Sequence, residues 1–315
     1  MLSLAACAPV EVVHTPAAPQ CSATAQSVPT DPRVVTLVAE ARRQQQLFGG
    51  QTIDVEGHLV RSGFYEAEAD RAPGESTLTW QRVLGFWRSL DPDKPREVRG
   101  PDGRFVSIAA LLDRLPAEGE QRAALTASVQ RAALIDNPWS AAFISYLEKT
   151  AGLSEAEFAF SDAHHVYVAQ AFRVTEAERA GAQADGGAYR ACDIASTTPR
   201  AGDLICHTRG AGAGLDRFQA LGAVLAAQRA LPMHCDLVVA VDRESGLLQS
   251  IGGNVLQSVT LRQMALDAGP APTLSRRYFT WQADADDAAC AEDGACATQG
   301  NFNRQPWSVL LQWRR

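Results

Sequence analysis

The chain has 315 residues, of which 46% are hydrophobic, and a formal net charge of −7. That length and apolar content suffice for one sizeable core. The acidic balance and the lack of lysine/arginine runs argue against nucleic-acid binding, and no stretch of about 18 apolar residues exists to span a membrane. The six histidines and the acids lack the paired spacing of a zinc or calcium site, so neither a metal nor a cofactor is expected.

The N-terminus speaks of address rather than fold. Leu4-Ala5-Ala6-Cys7 resembles a bacterial lipobox, in which cleavage precedes a cysteine that receives lipid. Residues 1–6 are then a signal-peptide remnant, lacking the basic flank and apolar run of a complete signal. Cys7 becomes the lipidated first residue, and Ala8 after it implies sorting to the outer membrane. Residues 7–32, with Pro9, Pro16, Pro19, Pro29 and Pro32 among Ala, Thr and Ser, read as an extended tether.

Residues 33–315 read as a single domain. Asp31 and Pro32 cap a helix whose Val34, Val35, Leu37, Val38 and Ala41 bury one side until Gly49-Gly50 stops it. Trp80, Val83, Leu84 and Trp87 fall at helical spacing and read as core. Residues 91–135 look like an insertion, a charged, proline-containing loop followed by helices at 107–114 and 118–134. Gly210-Ala211-Gly212-Ala213-Gly214 reads as a flexible connection, because it lacks the lysine and hydroxyl of a phosphate-binding loop. Strands are expected near 203–207, 235–241, 246–251, 257–262, 276–281 and 307–313, with 271–315 as a C-terminal extension. Asn301, Asn303 and Arg304 fall in a polar loop before the last of these. The fold class is α+β, N-terminal helices packed on a C-terminal antiparallel sheet.

Asn137-Pro138-Trp139-Ser140 precedes an amphipathic run of Phe143, Ile144, Leu147 and Ala151 that Gly152 ends. With Asn137 as N-cap and Pro138 first, Ser140 becomes the third helical residue, amid unpaired N–H groups at the positive end of the helix dipole. The hydroxyl is then either a nucleophile whose oxyanion those groups stabilise or an ordinary first-turn serine bonded to local backbone. Ser161-Asp162 caps a further helix with His164 and His165 in its first turn, one of which can face a cleft.

The stretch around Ser140 resembles the catalytic helix of bacterial cell-wall amidases and peptidases of the CHAP and NlpC type, which have a reduced papain-like fold and normally a cysteine at that position. Pro199-Arg200-Ala201-Gly202-Asp203 resembles their "PGD" strand start, His234-Cys235-Asp236-Leu237 their histidine strand, and Ile251-Gly252-Gly253-Asn254 their final polar motif. The chain also resembles the bacterial lipoprotein family of domain of unknown function 2272. The resemblance implies Ser140 as nucleophile, His234 as base and Asn254 orienting the imidazole; Trp139, His164 and Asp236 are candidate accessory residues beside them. In a strand Asp236 shares a face with His234. A papain-type thiolate–imidazolium pair is closed to a serine, which needs a true general base. The implied activity is hydrolysis of amide bonds in peptidoglycan or its stem peptides by a periplasmic, lipid-anchored protein; the alternative is a disarmed cleft that binds a wall fragment or an envelope protein.

Apart from Cys7, the cysteines are Cys21, Cys192, Cys206, Cys235, Cys290 and Cys296, an even number suited to an oxidising compartment. Cys290 and Cys296 bracket a short glycine-containing loop and are the expected bridge. Cys206 and Cys235 lie on strands that the resemblance pairs, where they either bond or pack as small apolar groups.

Overall fold

Asp31 and Pro32 open the first helix as their order predicts: Asp31 accepts from Arg33 N at 2.9 Å, and α1 runs Pro32–Leu47. The computed structural model describes residues 21, 29–114, 118–182, 186–209, 215, 217–281 and 300–314. The expected lipidation site Cys7, the Cys290/Cys296 pair and the Gly210–Gly214 connection lie outside them.

In chain order the elements after α1 are β1 Thr52–Ile53, β2 Leu59–Arg61, α2 Thr79–Leu90, β3 Glu97–Arg99, β4 Phe105–Ser107, α3 Ile108–Asp113 and α4 Gly119–Asp136. There follow α5 Ser140–Thr150, α6 His164–Arg179, β5 Tyr189–Cys192, β6 Leu204–Thr208, α7 Phe218–Ala226, β7 Met233–Asp242, β8 Leu247–Val255, β9 Ser258–Ala265 and β10 Trp307–Trp313. Eight strands form one sheet in the order β2-β1-β9-β8-β7-β6-β10-β5, antiparallel except that β1 pairs parallel to β9. The fold is thus mixed α and β with a large, mostly antiparallel sheet. Residues 97–99 and 105–107 pair as a separate hairpin beside α3 and α4, where Val98, Ile108 and Ala133 make a small cluster of their own.

One expected strand is absent, and strands that were not expected are present. Residues 276–281 do not form a strand; Arg276–Tyr278 is a single 3-10 turn, and Phe279 makes only a lone bridge to Gln305. Tyr189–Cys192 does form a strand, fully buried between α6 and β10, although four residues with arginine second give too short a pattern to read.

α5 is the central helix. It packs on α1 and α2 on one side and on β7 and β8 on the other, with Phe143, Ile144 and Leu147 buried. Phe86 of α2 lies 5.7 Å from Trp139 and 5.2 Å from Phe143 between ring centroids, the latter edge-on, a geometry that adds to area burial. The start of β6 is pinned by Asp203, which accepts from Arg200 N and from Trp313 N, both at 2.8 Å. Gly202 before it has φ +93°, and a Cβ there would meet Val34 of α1 at 2.7 Å.

Among the described residues there are two disulfides: Cys206–Cys235 crosslinks the paired strands β6 and β7, and Cys21–Cys192 ties residue 21 to β5 across 171 residues of sequence. Closing a loop of that length removes considerable entropy from the unfolded chain. Cys21→Ser is therefore expected to lower unfolding free energy by about 2–5 kcal/mol, read from denaturant titration without reductant; an unchanged midpoint would show that the bridge contributes nothing.

Candidate active site

Asn137 does not cap α5. Its side-chain nitrogen donates to Ala133 O at 2.8 Å and Glu97 O at 3.0 Å, so it closes α4 instead, and Trp139 occupies the N-cap of α5. Ser140 is therefore the first helical residue rather than the third. The first backbone bond of the turn runs from Phe143 N to Trp139 O, which leaves the N–H groups of Ser140, Ala141 and Ala142 outside the intrahelical ladder.

The ring that meets Ser140 is His164, not His234. Ser140 Oγ lies 2.7 Å from His164 Nε2, and Tyr167, one turn along α6, bonds the other ring nitrogen through its hydroxyl. The approach of α6 to α5 is set by Ser145, whose hydroxyl donates to Ser161 O at 2.8 Å and accepts from Ser161 N at 3.0 Å. Ser161 Oγ in turn accepts from Ala163 N, so the segment entering α6 is held at both ends. Burial pushes the His164 pKa well below its ordinary value, and the neighbouring His234 and Arg209 lower it further by disfavouring a second positive charge beside them, so the ring is neutral at pH 7. His165 is half-buried and makes no such contact.

His234 stands beside this pair, its ring centroid 5.4 Å from that of His164, but both of its nitrogens are engaged. Arg209 Nη2 donates to Nδ1 at 2.9 Å, and Nε2 lies 2.7 Å from Asp236 Oδ1. A guanidinium only donates, so the lone pair is on Nδ1 and the proton of the neutral ring is on Nε2, aimed at Asp236. Burial, then the charges of Arg209 and Arg262, hold the His234 pKa well below its usual value. The expectation that His234 is the base for Ser140 is not met in this arrangement, because its one lone pair is capped by Arg209.

The orienting group is also different. Asp236 bonds His234 directly, whereas Asn254 is elsewhere. With its amide nitrogen toward Glu66, Asn254 donates to Oε2 at 3.1 Å and accepts from Trp139 N at 3.2 Å. Glu66 also accepts from Trp139 Nε1 at 2.7 Å, and burial pushes its carboxyl up to about 7. Asn254 thus supports the turn that begins α5, in the left-handed conformation at φ +55° that asparagine tolerates. Trp139 is fully buried and serves the same turn. The glycines before Asn254 answer to close approach: a Cβ at Gly252 would meet Asp236 at 1.9 Å, and one at Gly253 would meet Phe143 at 2.6 Å.

Three residues unread in the sequence complete the site. Arg262 Nε donates to Asp236 Oδ2 at 3.0 Å, where Ser250 Oγ also donates at 3.2 Å. Arg209 caps His234, and Tyr167 engages His164. Tyr167 had a signal, the i,i+3 spacing from His164 on one helix face. Arg262 had a weaker one, its alternation with Ser258 and Thr260 on what proves to be the buried face of β9. Among the described residues, no group of three or more His, Cys, Asp or Glu side chains forms a metal site. Asn303, from the polar loop, is buried and donates to Asp54 O at 2.7 Å and Gln263 O at 2.9 Å, holding that loop to the sheet.

A buried helix-start serine paired with a neutral histidine, on an α+β scaffold held by a buried ionic network, is the class of site this chain carries. The chain belongs to the family described as "Uncharacterized protein conserved in bacteria (DUF2272)", which matches residues 74–313. No curated protein and no solved structure matches it.

Glu148, two turns below Ser140 on α5, is fully buried and accepts from Tyr189 Oη at 2.7 Å. Burial pushes its carboxyl up to about 8 from 4.5, so the folded chain holds a proton that the unfolded chain releases. Stability is then fully present below about pH 4.5 and falls as pH rises to about 8, by at most about 1.4 kcal/mol per pH unit. Glu148→Gln, which keeps an acceptor for Tyr189, is expected to flatten the pH dependence of unfolding free energy across that window; an identical slope in both proteins would contradict the assignment.

Proposed function

We propose that this protein is a cell-envelope amide hydrolase acting on peptidoglycan or its stem peptides, with Ser140 as nucleophile and His164 as general base. The observation that carries this reading is the 2.7 Å contact between Ser140 Oγ and His164 Nε2 at the first turn of α5. With its proton on Nδ1, bonded to Tyr167, His164 takes the hydroxyl proton through Nε2 as Oγ attacks the acyl carbon. The negative charge on the carbonyl oxygen falls beside the N–H groups that open α5. Collapse expels the amine, which leaves with the proton from Nε2, and water then hydrolyses the acyl-enzyme by the same base. His234, Asp236, Arg209 and Arg262 fix the electrostatic background rather than exchange the proton.

The motifs from Ser140 through His234 to Asn254 favour a CHAP/NlpC-type, papain-like origin, and α5 packed on β7 and β8 is compatible with it. The lipobox-like Leu4-Ala5-Ala6-Cys7 and the two disulfides support a periplasmic protein anchored through Cys7 to the outer membrane. A second reading, a disarmed cleft that binds a wall fragment or an envelope protein, is favoured by one observation: Ser140 is only 3% exposed.

Incubation of the full chain with sacculi and synthetic stem peptides, followed by mass spectrometry for new amines and fragments, separates the two. Hydrolysis by the native protein is expected to vanish in Ser140→Ala and to fall by about 10²–10⁴ in His164→Ala. Intact substrate in every tube, with sacculi retained by the protein, would overturn the catalytic reading in favour of the binding one.

A further inference from the structure

A cavity of about 240 Å³ opens between β6, β8, β9 and the loop before β10, lined by His207, Arg209, Asn254, Arg262, Phe302 and Gln305 among others. Its volume equals that of about eight waters, enough for a small acid group. The cavity adjoins the proposed catalytic pair through two of its walls. Arg209 bonds His234, which stacks edge-on against His164, and Asn254 bonds the backbone N–H of Trp139, the residue before Ser140.

The charges around it do not cancel. Arg209 and Arg262 bring two positive charges, and Asp236, fully buried behind them, brings one negative. His207 and His234 add none, since burial and the guanidiniums keep both rings neutral. One positive charge is left over at the wall of a small, partly open space, where an anionic ligand can reach it. The guanidiniums also have donors to spare. Arg262 spends Nε on Asp236 and Nη1 on Phe302 O and Asn303, and Arg209 spends Nη2 on His234. Among the described residues, Arg262 Nη2 and Arg209 Nε and Nη1 donate to no protein acceptor.

We infer that this cavity is a recognition subsite for a monoanionic carboxylate, held by Arg209 and Arg262 and linked to the Ser140–His164 pair through His234 and Asn254. A planar carboxylate matches guanidinium donors and supplies the single negative charge that the wall lacks, whereas a phosphate dianion would overshoot it. The inference deepens the proposed function and rests on it for its place in catalysis: the preferred substrate carries a free carboxylate close to the scissile amide, as the end of a short peptide does.

The test uses N-acetylglycine, its neutral counterpart N-acetylglycinamide and inorganic phosphate, each titrated into the full chain while the arginine Nε–H resonances are followed by NMR. N-acetylglycine is expected to shift the Arg209 and Arg262 signals and to bind at least tenfold more tightly than the amide. Arg209→Gln is expected to weaken the acid at least tenfold and leave the amide unchanged; Arg209→Lys, which keeps the charge, recovers part of the loss. Equal binding of acid and amide, no shift at either arginine in the folded protein, or phosphate binding more tightly than the acid would overturn the assignment. Carboxylate binding without hydrolysis of any substrate upholds the subsite and sinks only the catalytic reading. Hydrolysis indifferent to a nearby carboxylate overturns the subsite and spares the catalysis.

Discussion

The fully buried carboxylate of Asp236 is the constraint around which the site is organised. It accepts from His234, Ser250 and Arg262, and so joins β7, β8 and β9 through side chains as well as through the backbone ladder. A buried charge stripped of its partners costs about 3–5 kcal/mol, and that penalty dictates much of the surroundings. Gly252 has to be glycine because Asp236 fills the space of a Cβ, and His234 has to carry its proton on Nε2 because the carboxylate accepts it there. Once that proton is placed, Nδ1 can only accept, and Arg209 supplies the donor.

A consequence is that two histidines about 5 Å apart take different tasks. His234 is saturated by an acid on one side and a guanidinium on the other. His164 faces only two hydroxyls, those of Ser140 and Tyr167, and both can donate or accept. Proton exchange with a serine is open to His164 and closed to His234. Arg209 disfavours an added proton on either ring, and Arg262 adds to this at His234. The first turn of α5 is held by a second and separate group, Glu66 with Trp139 and Asn254, so that the serine and its histidine are positioned independently of the ionic network.

Much of the architecture was legible in the sequence because helix ends and strand alternation are local signals. α1 begins after Asp31, and β10 covers the residues its apolar run marks. What escaped were choices between local partners that only tertiary structure decides. Asn137 is a good N-cap by type, yet the end of α4 and the β3 strand claim its side chain first. Arg262 ends the expected strand 257–262, and nothing local in the sequence names Asp236 as its buried partner. For the site, the sequence singled out Ser140, His164, His234, Asp236 and Asn254, and the fold brings the first four together while putting Asn254 under the helix start. Their pairing was not readable, since which nitrogen meets which oxygen depends on how α6 seats against α5, a matter settled by Ser145 and Ser161.

The central claim, that His164 and not His234 is the base for Ser140, is tested most directly by the tautomers of the two rings at pH 7, read by nitrogen-15 NMR of histidine-labelled protein. Two neutral rings are expected, His164 with its proton on Nδ1 and its Nε2 lone pair toward Ser140, and His234 with its proton on Nε2. A proton on Nε2 of His164, which would turn that nitrogen into a donor toward the serine, would contradict the claim.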